Sequence, residues 1–371
     1  MLIGIDASRA GIRERTGTEA YAFYLIQALL EPARERRHHV RLYFREAPPD
    51  GLALTKGVEI VHIPFPRLWT HVRLAAELRR RPPDLFFTPA HVIPLSYAGP
   101  AVATVHDLGY HYFPEAHTRR QVAYLRWSTR HNARRSRRVI ADSEATRRDL
   151  ARFYDIDPAR IDVVYPGNQP GLEPVTDAAL LAATQAKYGV QPPYLLYLGT
   201  LQPRKNLVRL VEAYAASGIP HQLVLAGKRG WHASSILAAV NAQPPAVRER
   251  ILLPGFVAEA DKAALISGAM ALLFPSLYEG FGFPVLEAQA CGTAVVCADN
   301  SSLPEVAGEG ALFVEAEDAK GIAQAIRHIT SEDELRRALV EKGFENARRF
   351  TWQRAAEQVL DVLEAAGGHA G

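Results

Sequence analysis

Two carboxylates, Glu279 and Glu287, flank the run Gly280-Phe-Gly-Phe-Pro-Val-Leu286. An apolar run ending at Phe274 reads as a buried strand ahead of them, and Pro284 suits the first turn of a helix behind. A helix start offers N–H groups without intrahelical acceptors and the positive end of the peptide dipoles, which favours an anion such as a phosphate. Gly280 and Gly282 let backbone approach a ligand closely. Carboxylates accept hydrogen bonds from the hydroxyls of a sugar or ribose. Two glutamates at this distance are common in any sequence. The glycines and the strand–loop–helix setting turn them into a candidate site.

A second constellation is Leu198-Gly199-Thr-Leu-Gln-Pro-Arg204-Lys205-Asn206. It leaves a strand at Gly199 and enters a helix near Asn206, a residue type suited to an N-cap. Departure of a nucleoside diphosphate builds negative charge, and cations at Arg204 and Lys205 would stabilise it without a metal. An isolated Arg-Lys pair is usually a solvated surface pair, so position in the fold decides its meaning. In the first half, His106 closes the run Ala101–His106 at a strand end, followed by Asp107. A lone histidine there is more often structural than reactive. Arg15-Thr-Gly17-Thr-Glu-Ala-Tyr21 lies between the first strand and an amphipathic helix over Ala20–Leu30, and taken alone it is a weak signal.

The form Glu-Gly-Phe-Gly-Phe-Pro-Val-Leu-Glu-Ala resembles the signature of glycosyltransferase family four, the retaining GT-B family with many mannosyl- and glucosyltransferases. The resemblance is dense over 192–310 and consists of short motifs elsewhere. It implies that Glu279 contacts the donor sugar's hydroxyls, that Phe281, Gly282 and Phe283 border sugar and diphosphate through backbone N–H groups, and that Glu287 holds the ribose. Gly199, Arg204 and Lys205 then form the donor-phosphate motif, Gly17 belongs to a glycine loop closing over the phosphates, and His106 approaches the reacting sugar. Ala141-Asp142-Ser143 and Asn300-Ser-Ser-Leu-Pro-Glu305 also resemble the family. The first is read as structural, with Ser143 a helix cap; the second is assigned no role.

These residues need strands that end beside one another. Short apolar runs, many apolar on both faces, alternate with segments long enough for crossover helices, which predicts parallel sheets covered on both sides. The fold class is therefore α/β, and with the resemblance GT-B: two Rossmann-like domains facing across a cleft. Three prolines and two glycines within Tyr165–Pro174 mark the boundary. The expected domains are an acceptor-side unit over 1–168, a linker and connecting helix over 169–191, and a donor-binding unit over 192–351. A C-terminal helix with a frayed tail over 352–371 is expected to pack back on the first domain.

The chain has 371 residues, 48% hydrophobic and 22% charged, as in ordinary globular proteins. No run reaches the roughly 18 apolar residues of a membrane span, and the N-terminus reads as a strand rather than a signal peptide. Cys291 and Cys297 suit a reducing compartment. The expected location is therefore cytoplasmic, peripheral on the inner face of the membrane at most. Residues 1–170 hold 26 Lys/Arg against 18 Asp/Glu, an excess of eight, while the remainder holds 17 against 22. Eight of those arginines fall within Arg119–Arg138, interleaved with Tyr124 and Trp127. Such a helix either lies on an anionic membrane carrying a lipid-linked acceptor or is simply a solvated face.

Asp155-Ile-Asp157 is the one clear Asp-x-Asp, and its place between a helix and a strand reads as a turn. With no HExxH or CxxC spacing, no metal and no cofactor is expected beyond the nucleotide diphosphate sugar as co-substrate. Nucleic acid is not expected as a partner, since no binding fold surrounds the basic stretch. The reading is a retaining, metal-independent hexosyltransferase moving a hexose from GDP-mannose or a UDP-hexose to a hydroxyl of a glycan or lipid-linked saccharide. A nucleotide-sugar epimerase, a sugar phosphorylase and a non-catalytic nucleotide-sugar scaffold are the alternatives.

Overall fold

The computed structural model describes residues 1–12, 17–49, 51–52, 56–65 and 67–368. The chain divides into two compact units, one of residues 1–108, 119–167 and 350–371, the other of 109–118 and 168–349. The ten-residue excursion 109–118 thus belongs with the second unit, although the chain around it builds the first.

The first unit carries β1 (Leu2–Asp6), β2 (His39–Phe44), β3 (Val58–His62), β4 (Leu85–Thr88), β5 (Ala101–Val105), β6 (Arg138–Ala141) and β7 (Ile161–Val163). They pair in parallel in the order β3-β2-β1-β4-β5-β6-β7. The order reverses between β1 and β4, which makes that pair's carboxyl edge the switch point where ligands bind in open α/β sheets. Ile3, Ile5, Leu42, Phe86, Phe87 and Val102 are wholly buried, as strands covered on both faces require. The helix Gly17–Glu35 packs against the C-terminal helix Trp352–Gly367, whose Leu360 and Leu363 are buried. The end of the tail, 369–371, lies outside the described residues.

The second unit carries β8 (Tyr194–Leu198), β9 (Gln222–Ala226), β10 (Ile251–Gly255), β11 (Ala271–Phe274), β12 (Ala294–Ala298) and β13 (Leu312–Val314). Its parallel order is β10-β9-β8-β11-β12-β13, with the reversal between β8 and β11. One continuous core joins these strands to the helices on either side, including Leu195, Leu272, Val285 and Ile326. The linker lies on this unit: the Val175 N–H donates to Ser267 Oγ at 3.0 Å, and Tyr188 Oη donates to Asp261 at 2.6 Å.

Two local readings resolve simply. Asp155 ends the helix Glu144–Tyr154 in the left-handed region at φ 55°, and Asp157 accepts the Ala159 N–H at 2.9 Å, so this Asp-x-Asp is turn chemistry. Ser143 caps the same helix by accepting the Thr146 N–H at 3.1 Å. Among the described residues no helix is long and apolar enough to cross a membrane.

Candidate functional site

The switch point of the second unit gathers the two strongest motifs. Gly199–Asn206 follows β8 and Pro275–Gly282 follows β11, and these strands pair directly through Ala271 with Leu195 and Leu272 with Leu196. Their loops are stitched together. The Leu277 N–H donates to the Arg204 carbonyl at 2.9 Å, and Arg204 Nη1 donates to the Tyr278 carbonyl at 2.9 Å. Tyr112, from the 109–118 segment, stacks on Tyr278 with centroids 5.0 Å apart.

Lys205 Nζ donates to Glu279 Oε1 at 2.5 Å, with side chains only 11% and 7% exposed. Arg204 Nη1 lies 3.6 Å from Glu279 Oε2, and Lys205 Nζ also sits 5.1 Å from the centre of the Phe274 ring. Burial by itself would raise the Glu279 pKa, but the two cations prevail and hold it below the ordinary glutamate value. The glutamate is fixed at its backbone as well. Its N–H donates to Ser301 Oγ at 2.9 Å, and Ser302 Oγ donates to the carbonyls of Glu279 and Phe281 at 3.0 and 2.6 Å. The Asn300–Glu305 stretch, given no role on sequence, thus shapes the glutamate loop.

Gly282 precedes the helix Phe283–Ala290 at φ 113°, in a region where a side chain would be strained. Phe281 and Phe283 pack edge to face at 5.0 Å, leaving backbone N–H groups as the polar groups of this helix start. Glu287 is buried one turn in, and its Oε1 accepts Lys262 Nζ at 2.9 Å. Lys262 also donates to Gln169 Oε1 at 2.9 Å and Glu259 Oε1 at 3.2 Å. Burial works against charge on Lys262, yet Glu287 and Glu259 raise its pKa. The sequence reading missed Lys262, a single lysine in an unremarkable helix with no spacing signal.

Asn206 departs from expectation in its chemistry. It stands before the helix Leu207–Ser217 at φ 63°, but its side chain caps nothing. Its amide donates to the carbonyls of Pro275 at 2.9 Å and Ala316 at 2.6 Å, cross-linking the loops after β11 and β13. The loops after β8 and β9 cross beside Gly199: a Cβ on Gly227 would lie 1.9 Å from the Gly199 carbonyl oxygen, so Gly227 has no room for a side chain.

In the first unit the parallel register sets Val105 beside Ala141, so His106 and Asp142 emerge side by side. His106 Nδ1 and Asp142 Oδ2 are 2.6 Å apart. Burial disfavours charge on the ring, but the Asp142 carboxylate overcomes it and raises the His106 pKa. Burial likewise raises that of Asp142. Tyr21 packs edge-on to the ring at 4.7 Å, and Thr146 Oγ1 donates to the His106 carbonyl at 3.2 Å. Among the described residues, His106 Nε2 and Asp142 Oδ1 are buried with no well-formed hydrogen bond, and the backbone of Pro89 adds to the rise in the His106 pKa. Asp142, read as structural, is therefore the partner that orients His106. Gly17 begins the helix Gly17–Glu35, exposed and with nothing within 4 Å of a Cβ. Arg15 and Thr16 of that loop lie outside the described residues. Among the described residues no group of three or more His, Cys, Asp or Glu is placed to hold a metal.

Residues 184–346 match the family model for Glycosyl transferases group 1, and residues 15–169 match that for Glycosyltransferase Family 4. The O-antigen chain mannosyltransferase B of Escherichia coli is 30% identical over 268 residues, 71% of this chain and 70% of that one. Among solved structures, sucrose-phosphate synthase from Thermosynechococcus elongatus superposes with a TM-score of 0.77 at 22% identity, over the whole of both chains. Anabaena Alr3699/HepE, in complex with UDP and glucose, gives 0.72 at 18% identity over 98% of this chain and 99% of that one. Those two likenesses are of fold. Taken with the matched models and the mannosyltransferase relative, they show that this chain belongs to glycosyltransferase family 4 and is a glycosyltransferase of GT-B fold.

Proposed function

We propose that the chain transfers a hexosyl group from a nucleoside diphosphate hexose to a hydroxyl of a glycan or lipid-linked saccharide, with retention at the anomeric carbon and without a metal. The observation that carries this reading is the buried Arg204–Lys205–Glu279 cluster beside the start of the Phe283–Ala290 helix. A cluster with two cations and one carboxylate keeps a positive excess for a diphosphate. One ammonium carries three donors, so Lys205 can hold Glu279 and a phosphate oxygen together. Glu279 is assigned to the hexose hydroxyls, Glu287 to the ribose, and the backbone at Gly199, Phe281, Gly282 and Phe283 to the sugar and diphosphate. Gly17 and His106 are assigned to the phosphates and the transferred sugar, with Asp142 orienting His106.

The acceptor oxygen forms its bond to the anomeric carbon on the face from which the diphosphate departs. The bond from that carbon to the phosphate oxygen breaks, and the departing phosphate takes the hydroxyl proton. No side chain need be a nucleophile; the cations and the helix start supply electrostatic stabilisation and positioning. GDP-mannose is the first donor to test, because a relative at 30% identity is named a mannosyltransferase. A UDP-hexose is the second.

A thermal-shift panel of GDP, UDP, ADP and their sugars identifies the base, since ligand bound to the folded state raises apparent stability with affinity. Product analysis then checks the reaction. Nucleoside diphosphate released only with acceptor present, together with an α-linked product from an α-linked donor, is the expected result. Interconversion of donors without acceptor would replace transfer by epimerisation.

A further inference from the structure

The helix Glu259–Ser267, which follows β10, is tied at both ends to two other parts of the second unit. Near its start, Lys262 Nζ donates to Glu287 Oε1 on the Phe283–Ala290 helix and to Gln169 Oε1 in the linker, each at 2.9 Å. At its end, Ser267 Oγ accepts the Val175 N–H of the linker at 3.0 Å and donates to the Cys291 carbonyl, just past the Glu287 helix, at 3.2 Å. Asp261 adds another tie, accepting Lys187 Nζ and Tyr188 Oη at 2.6 Å each from the connecting helix Ala178–Tyr188. The helix is thus a strut between the linker and the element that carries Glu287.

Lys262 is the centre of that strut. An ammonium carries three N–H donors, and here three acceptors surround it: Glu287, Gln169 and, at 3.2 Å, Glu259. The Gln169 amide donates to Glu259 in turn, which closes the ring of contacts. With its donors matched to protein acceptors, Lys262 acts through the groups it holds rather than on a ligand. Its side chain is 17% exposed and that of Glu287 only 8%. A buried carboxylate with no partner is costly; the ammonium opposite offsets that cost and fixes which way the carboxylate faces. A carboxylate has about four lone-pair sites, so Glu287 can accept Lys262 and two ligand hydroxyls together.

We propose that Lys262 is the positioning residue of the ribose subsite: it aims the Glu287 carboxylate at the two adjacent hydroxyls of a nucleoside diphosphate, while Gln169 and Glu259 hold the ammonium in place. The inference rests on the assignment of Glu287 to the ribose. Hydrogen bonds to a charged acceptor are short and directional. A carboxylate held in one orientation therefore favours a ribonucleotide over one without those hydroxyls, and a carboxylate free to turn does so weakly. Lys262 sets selectivity at the sugar of the nucleotide, away from the anomeric carbon where transfer occurs. The linker becomes part of the donor site, since Gln169 is the second residue of the stretch 168–349.

The test is calorimetric titration of the full chain with GDP and UDP beside their 2′,3′-dideoxy counterparts, read as the ratio of the two dissociation constants for the base that binds. The wild type should prefer the ribonucleotide by roughly ten- to a hundred-fold, as loss of hydrogen bonds to a charged group implies. Lys262→Met should bring the ratio close to one, and Glu287→Gln should do the same. Adding Lys262→Met to Glu287→Gln should change the ratio no further, because the lysine acts through the glutamate. Lys262→Arg, which restores a cationic donor, should recover most of the preference. A fall in stability alone leaves the ratio untouched, since both ligands meet the same folded protein. Should Lys262→Met not fold, Lys262→Gln keeps a donor without the charge and should lower the ratio in the same direction. In transfer assays, Lys262→Met should raise the donor KM while kcat at saturating donor stays near the wild-type value. A wild type indifferent to the missing hydroxyls would overturn the ribose assignment of Glu287 and this inference with it. A preference that Glu287→Gln abolishes and the Lys262 variants keep would overturn the role of Lys262 alone. The ratio is measured without acceptor, so it stands apart from the outcome of the transfer assay.

Discussion

Lys205 and Glu279 show how much one ion pair can be asked to do. Removing a partner from a buried pair leaves an uncompensated charge, at a cost of about 3–5 kcal/mol, so Lys205→Ala is expected to lose both turnover and stability. With Lys205 in the proposed role at the leaving group, its loss should lower kcat by about 10²–10³, and parallel kinetics and denaturant unfolding separate the two effects. The pair also makes stability depend on acid. Glu279 has a depressed pKa, so its contribution is complete above the ordinary value of 4.5 and is lost as pH falls through the folded value. Glu279→Gln should flatten that part of the stability profile in denaturant titrations at successive pH values. His106 behaves in the opposite sense: its pKa is raised, so its contribution is complete below the ordinary 6.5 and fades as pH rises through the folded value. Asp142→Asn removes the cause, and NMR should find the His106 ring titrating at lower pH than in the wild type.

Elements decide which residues can meet. In parallel strands, residues just past paired positions emerge together, and this brings His106 to Asp142 and the loop after β8 to the loop after β11. The crossing of Gly199 and Gly227 is the tightest such constraint. With a Cβ facing backbone oxygen at 1.9 Å, Gly227→Ala should cost about 3 kcal/mol or more, beyond ordinary overpacking. Gly218, at φ 68° with nothing within 4 Å, isolates backbone strain from lack of room. Gly218→Ala should cost only about 1 kcal/mol. Equal losses from the two substitutions in urea unfolding would mean that the strand-end loops can separate without penalty.

At the scale of the molecule, donor binding is expected to act chiefly on the unit of residues 109–118 and 168–349. A nucleoside diphosphate at a hundred times its Kd stabilises its binding state by about 2.7 kcal/mol. Hydrogen exchange with saturating ligand should slow most at 199–206 and 275–287. Equal protection of β1 to β7 would show that the nucleotide is held elsewhere. The Lys205→Ala variant should lose most of this protection.

What the sequence determined by itself is what neighbours along the chain can encode. The apolar runs read as strands ending at Gly199, Phe274 and His106 close within one residue of the ends of β8, β11 and β5. Glycine and proline placement marked the strand–loop–helix turns, and the Glu279–Glu287 and Arg204–Lys205 motifs carried the family resemblance. Tertiary structure decided everything that depends on which strand lies next to which. No local pattern joins Lys205 to Glu279, Lys262 to Glu287 or His106 to Asp142, because each pair is set by sheet order and register. The physical reason is common to all these cases. Periodicity records whether a side chain is buried, whereas hydrogen bonds and ion pairs depend on partners brought close from distant parts of the chain.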